Sequence, residues 1–149
     1  MTSPNLSITS ARPTSTAELM AQTGLNEDAL FELVHRFYGK VRQDRLLAPI
    51  FEARIPNWTS HLERMVAFWS SVALMTGRYH GRPIPAHVPL PVKAVHFERW
   101  LALFRETAGE VCTPAGAAHV IERAERIAQS LQTAVLEASA GPGAMSVLD

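Results

Sequence analysis

An all-α protein is what this sequence predicts, and three observations carry the prediction. Apolar residues recur at intervals of three and four in several long segments, the spacing that lines one face of a helix. The alternating pattern of a half-buried strand is nearly absent. Helix start and stop signals, a capping Asn or Thr, a first-turn Pro, a terminal Gly, bracket the periodic segments. A chain of 149 residues with 47% apolar content is most simply one domain with a substantial core.

Taken in order, a short helix is expected around Ala17 to Gln22. The segment NEDALFELVHRFYGKVRQD opens with Asn26 as a cap and acids in its first turn. It places Leu30, Leu33, Val34, Phe37, Tyr38 and Val41 on one face. DRLLAPIF, with Pro49 inside it, reads as a turn-like connection ending at Phe51. A second long helix should begin near Pro56 and Asn57, where proline suits a first turn, and stop at Thr76-Gly77. Its apolar face is Trp58, Leu62, Met65, Trp69 and Val72, and His61 falls on that same face. From Gly77 to Pro91 the prolines forbid a long helix and leave room for one short turn around Ile84 to Val88. VKAVHFERWLALFRETAGEV then resumes the helical period with Phe97, Trp100, Leu101, Phe104 and Ala108. A last helix opens with Thr113 as cap and Pro114 in its first turn, and aligns Val120, Ile121, Ala124, Ile127, Ala128, Leu131 and Val135. Residues 1–15 and 139–149 are small, polar and rich in Pro and Gly, and are expected to be a disordered extension and a mobile tail around a working domain of residues 16–138.

Composition narrows the function. Fourteen basic residues balance fourteen acidic ones, so charge gives no reason to expect a nucleic-acid partner or an anionic membrane. Cys112 is the one cysteine, which excludes an internal disulfide and a cysteine-built zinc site, fits a reducing compartment, and reads as a passive thiol. The longest apolar-rich stretch, MVAFWSSVALM, is too short and too interrupted by serine to span a bilayer. The N-terminus lacks the basic start and apolar run of a signal peptide, so a cytoplasmic location is expected, and the charge balance permits a monomer. No G-x-S-x-G and no glycine-rich phosphate loop occurs. Glu32 and His35 form one E-x-x-H, but a carboxylate-bridged di-iron bundle needs two and matching inward glutamates. His119 and Glu122 read as a solvated face, and His96, just before an apolar stripe, is expected to cap or pack and is assigned no functional role.

What remains is Tyr38, His61 and Trp100 on inward faces, and RPIPAHVPLP, which fences His87 with four prolines. Buried OH and NH groups need partners, and proline narrows the range of a loop. This inventory suits a helical protein holding a flat, apolar, iron-bearing ring, with one axial histidine on one side and donors on the other. A heme-free bundle that buries these groups for structure alone, as a sensor or interaction module, is the alternative from another class.

The segments FYGKVRQDRLLAPIF, WTSHLERMVAFW, YHGRPIPAHVPLP and HFERWLALF, in this order and spacing, resemble the truncated globins, specifically their third group, over nearly all of residues 26–136. The resemblance implies a two-over-two helical sandwich with a short proline-rich proximal segment, and heme b (iron protoporphyrin IX) as cofactor. It implies His87 as the proximal iron ligand, and Tyr38, His61 and Trp100 on the side where an exogenous ligand binds. Phe51 corresponds to the aromatic that packs on the ring at the corner, while Phe37, Met65, Phe68 and Trp69 would line or support the pocket. Arg64 is placed to reach a heme propionate, with Tyr79 and Arg82 as weaker candidates for the same edge. The function implied is reversible binding of dioxygen and other small ligands (NO, CO, sulfide, cyanide). Any oxygen transport, or turnover of NO or peroxide, would come on top of that, and turnover would need an external reductase that this chain does not contain. The long polar N-terminal extension is a departure for which the family offers no function.

Overall fold

Six α-helices and no strand make up the regular structure among the residues described, 9–80 and 92–139, in a computed structural model of the chain. They are α1 (Pro13–Thr23), α2 (Glu27–Val41), α3 (Ala48–Arg54), α4 (Trp58–Leu74), α5 (Ala94–Val111) and α6 (Pro114–Ser139). Arg82, His87 and the rest of RPIPAHVPLP lie outside the described residues.

Local chemistry sets the boundaries. Helix α1 starts at Pro13, earlier than Ala17 and inside the stretch expected to be a disordered extension, because proline suits a first helical turn and the residues before it have partners. The Ala11 N–H donates to the Thr76 carbonyl at 2.9 Å. The Thr16 hydroxyl donates to the Leu74 carbonyl at 2.6 Å and lies 2.6 Å from the Ser10 hydroxyl, tying this entry segment to the end of α4. Helix α1 ends at Gly24, whose φ of 73° is a left-handed conformation suited to glycine. Asn26 caps α2 as expected, its Oδ1 accepting from the Ala29 N–H at 2.8 Å, with Glu27 and Asp28 in the first turn.

DRLLAPIF is more than a connection: residues 48–54 form a two-turn helix, because Pro49 sits in its first turn, where proline starts a helix instead of breaking one. Helix α4 is capped by Asn57 Oδ1, which accepts from the Ser60 N–H at 3.0 Å. It stops at Leu74, two residues before Thr76-Gly77, because Met75 takes a left-handed φ of 57° and the buried Thr76 hydroxyl turns back to Ser70 Oγ at 2.6 Å. Thr113 caps α6 and also clasps α1: its Oγ1 accepts from the Gly116 N–H at 3.0 Å and donates to the Thr23 carbonyl at 2.7 Å.

The helices pack as two pairs, α2 with α4 and α5 with α6, joined chiefly through α2 and α5, while α1 bridges α4 and α6. Phe37 lies at the join, 1% exposed, edge-on to Tyr38, Trp100 and Phe104 at 5.0, 5.4 and 5.3 Å between ring centres. Trp69 stacks on Phe104 at 4.9 Å and joins α4 to the same cluster.

Candidate ligand-binding cleft

Beside that aromatic join the pairs leave a cleft of about 210 Å³. Helix α4 builds one wall with side chains on successive turns, His61, Met65, Phe68 and Trp69, the spacing that keeps them on one face. Helix α2 contributes Tyr38 from its last turn, and α3 with the residue before it contributes Leu47, Ile50 and Phe51. The opposite wall is Val92, just before α5, the start of α5 with His96, Phe97 and Trp100, and the middle of α6 with Ile127, Ala128 and Leu131. Arg64 and Tyr79 complete the lining, and Arg64 is exposed. No carboxylate lines the cleft among the described residues.

Its polar groups gather at one end. The Tyr38 ring meets His61 edge-on at 5.0 Å and 88°, and Phe51 packs 6.0 Å from it. Tyr38 is 6% exposed, and among the described residues its phenol makes no hydrogen bond. Burial, with a smaller contribution from Tyr79, pushes that phenol far above the ordinary tyrosine range, so it stays protonated and able to donate. Trp100 is half-buried, stacked on Phe104 at 5.6 Å, and presents its indole to the cleft. Phe68 meets Tyr79 edge-on at 5.1 Å, and the Tyr79 N–H is held by Ser71 Oγ at 2.8 Å.

The structure thus brings together Tyr38, Phe51, His61, Arg64, Met65, Phe68, Trp69, Tyr79 and Trp100 around one space. Phe37 does not line it; its ring is behind Tyr38 and Trp100, where it supports both. His87 and Arg82 lie outside the described residues. Ile127, Ala128 and Leu131 were expected only as core; they also wall the cleft, where they pack beside Phe97 and Trp100 of α5. His96, assigned no functional role from sequence, lines the cleft while its Nδ1 accepts from the Lys93 N–H at 2.8 Å at the start of α5.

The remaining candidates are structural. His119 is not on a solvated face: it is half-buried with Nε2 2.8 Å from the Ala73 carbonyl, joining α6 to α4, whereas the exposed Glu122 pairs with Arg123 and Arg126. Glu32 pairs with Arg36 at 2.7 Å, and His35 Nδ1 lies 2.9 Å from the Phe31 carbonyl, both on the surface of α2. Cys112 is half-buried, and burial raises its thiol pKa and keeps it protonated. No group of three His, Cys, Asp or Glu that could hold a metal occurs among the described residues.

A two-pair helical sandwich around an apolar cleft, with polar-tipped rings at one end, defines a protein of the globin class. The bacterial-like globin family profile matches residues 19–133. The Group 3 truncated hemoglobin ctb of Campylobacter jejuni subsp. jejuni serotype O:2 is 34% identical over 113 residues, which cover 72% of this chain and 89% of that protein. The crystal structure of group III truncated hemoglobin from Campylobacter jejuni superposes with a TM-score of 0.71 at 32% identity, covering 79% of this chain and 95% of that one. The chain belongs to the bacterial-like globins, as a truncated hemoglobin of the third group. Heme-based binding of small ligands comes with that membership.

Proposed function

We propose that the cleft holds heme b, with His87 as the iron's protein ligand, and that the protein reversibly binds dioxygen and other small ligands such as NO, CO, sulfide and cyanide. The observation that carries this reading is Tyr38: 6% exposed, with its phenol protonated and in no hydrogen bond among the described residues, it sits beside His61 in a space otherwise walled by apolar and aromatic groups. A protonated phenol lining the cleft has an O–H to donate to a ligand bound there.

The residues present fit the group. Phe51, Met65, Phe68, Phe97 and Leu131 offer the apolar surface a flat macrocycle needs, and Arg64 supplies a cation for a propionate. Heme, when bound, supplies an iron at which a small ligand binds and acquires partial negative charge. Tyr38 and Trp100 donate toward that charge in a water-poor setting, where a hydrogen bond is stronger than in water. His61 acts as a second donor and as a gate at the same wall. Phe37 and Phe104 keep both donors in place from behind.

Strong donors slow ligand release, which favours redox handling of NO or peroxide over transport, with electrons from an external reductase. The lone cysteine fits this activity in the cytoplasm, and the charge balance fits a monomer. No helix among the described residues is long and apolar enough to cross a membrane. Two spectra test the site. Reconstituted with hemin and reduced, the protein should show reversible band shifts on exposure to oxygen and to carbon monoxide, and unchanged spectra would overturn the reading. A six-coordinate low-spin spectrum that survives His61→Ala would exclude His61 as an internal iron ligand and leave it as gate and donor.

A further inference from the structure

Behind the polar end of the cleft stands Trp58, the first residue of α4, which does not line the cleft itself. Its ring is perpendicular to that of His61, at 5.5 Å and 86°, and tilted against Tyr38 at 5.9 Å and 58°. Its indole Nε1–H is buried and has no hydrogen-bond acceptor among the described residues. Among the described residues, then, contacts and not a hydrogen bond fix the orientation of this ring. One of them is charged: the guanidinium carbon of Arg42 lies 4.4 Å over the ring centre. Arg42 in turn donates from Nε to Glu52 Oε1 at 3.1 Å.

Arg42 caps the C-terminus of α2, Glu52 belongs to α3, and Trp58 opens α4. Three elements thus converge on one indole, and the surface pair Arg42–Glu52 is linked to a cleft histidine through a single ring. We propose that Trp58 is the positioning residue for His61, and that Arg42, held by Glu52, clamps Trp58 in the orientation that keeps His61 facing the cleft. A cation over the face and a perpendicular imidazole are both arrangements favoured by the charge distribution of the aromatic ring, so the clamp and the contact reinforce one orientation. Loss of the clamp frees the indole to turn, and His61 then divides its time between more than one position. The proposal rests on the reading of Tyr38 and His61 as ligand-facing groups.

The test uses the heme-loaded protein with carbon monoxide as probe, reading the C–O stretching bands in the infrared and the recombination rate after flash photolysis. Arg42→Gln should redistribute the C–O bands and change the bimolecular recombination rate about two- to fivefold, the range expected for one exposed cation–ring contact. Glu52→Gln should do the same to a smaller extent, Arg42→Lys should restore the wild-type pattern in part, and Trp58→Phe should give the largest change. In a His61→Ala background the effect of Arg42→Gln should vanish, because it acts through that residue. Wild-type bands and rates in Arg42→Gln and Trp58→Phe, alongside altered ones in His61→Ala, would overturn the clamp and leave the ligand-facing reading standing. Wild-type behaviour of His61→Ala itself would overturn both.

Discussion

Tyr38 is enclosed by rings: Phe37 edge-on at 5.0 Å, His61 at 5.0 Å, Phe51 at 6.0 Å and Trp58 at 5.9 Å. That enclosure fixes the phenol with no hydrogen bond to it among the described residues, which leaves its donor for a ligand. Tyr38→Phe removes the donor and keeps the packing, so the oxygen dissociation rate, measured by stopped flow, should rise about five- to thirtyfold, the equivalent of roughly 1–2 kcal/mol. An unchanged rate would remove Tyr38 from the role. Tyr38, His61 and Trp100 were legible in sequence because a polar-tipped side chain on an apolar helix stripe is out of place until it has a partner. His119 was not, since it bonds the carbonyl of Ala73 on another helix and a backbone group leaves no trace in sequence, whereas His96 takes the capping place expected of it, its Nδ1 accepting from the Lys93 N–H.

At the scale of elements, the start of α6 shows how closely the helices approach. A Cβ on Gly116 would lie 2.8 Å from the Thr23 carbonyl oxygen, a backbone atom that cannot move without disturbing α1. Gly116→Ala should therefore destabilise the fold by about 1–3 kcal/mol despite the better helix propensity of alanine, as read from chemical denaturation. The turn after α2 depends on Asp44, whose side chain is 7% exposed: Oδ2 accepts from the Leu46 and Leu47 N–H groups, both at 3.1 Å, and Oδ1 from Arg99 Nε at 2.6 Å. Asp44→Ala should cost about 2 kcal/mol in the same measurement, because two backbone donors and a guanidinium lose their acceptor. Long helices such as α2 and α4 could be read from periodicity and caps. Helix α3 could not, since seven residues hold too few turns to show a period, and the Pro49 that starts it reads equally well as a stop.

For the molecule as a whole, joining the two helix pairs makes stability depend on acid. Burial by itself would raise the Asp44 pKa, but the Arg99 guanidinium and the Leu47 and Leu46 N–H groups outweigh it and hold the carboxyl below its usual range. Glu110 is also held low, chiefly by Lys40 at 2.9 Å and then by Arg36, in a cluster that links α2 to α5. Carboxylates with depressed native pKa values stabilise the fold above the unfolded-state pKa, and that contribution is lost as pH falls through the native value. The urea midpoint should thus hold steady down to about pH 4 and then fall, with Asp44→Ala showing a shallower decline than wild type. The two-pair sandwich and the cleft follow from amphipathic stripes present in the sequence; the way those stripes cross, which makes Ile127, Ala128 and Leu131 cleft wall as well as core, follows only from packing.

A heme held in the cleft through His87 is the central expectation. Hemin titration of wild type and His87→Gly, followed by the Soret band with and without added imidazole, tests it most directly. The expected result is one heme bound tightly per wild-type chain, weak retention by His87→Gly, and recovery of an axial-imidazole spectrum when imidazole is supplied. A wild-type protein that takes up no hemin, or a His87→Gly variant that retains heme with an unaltered axial-histidine spectrum, would contradict it.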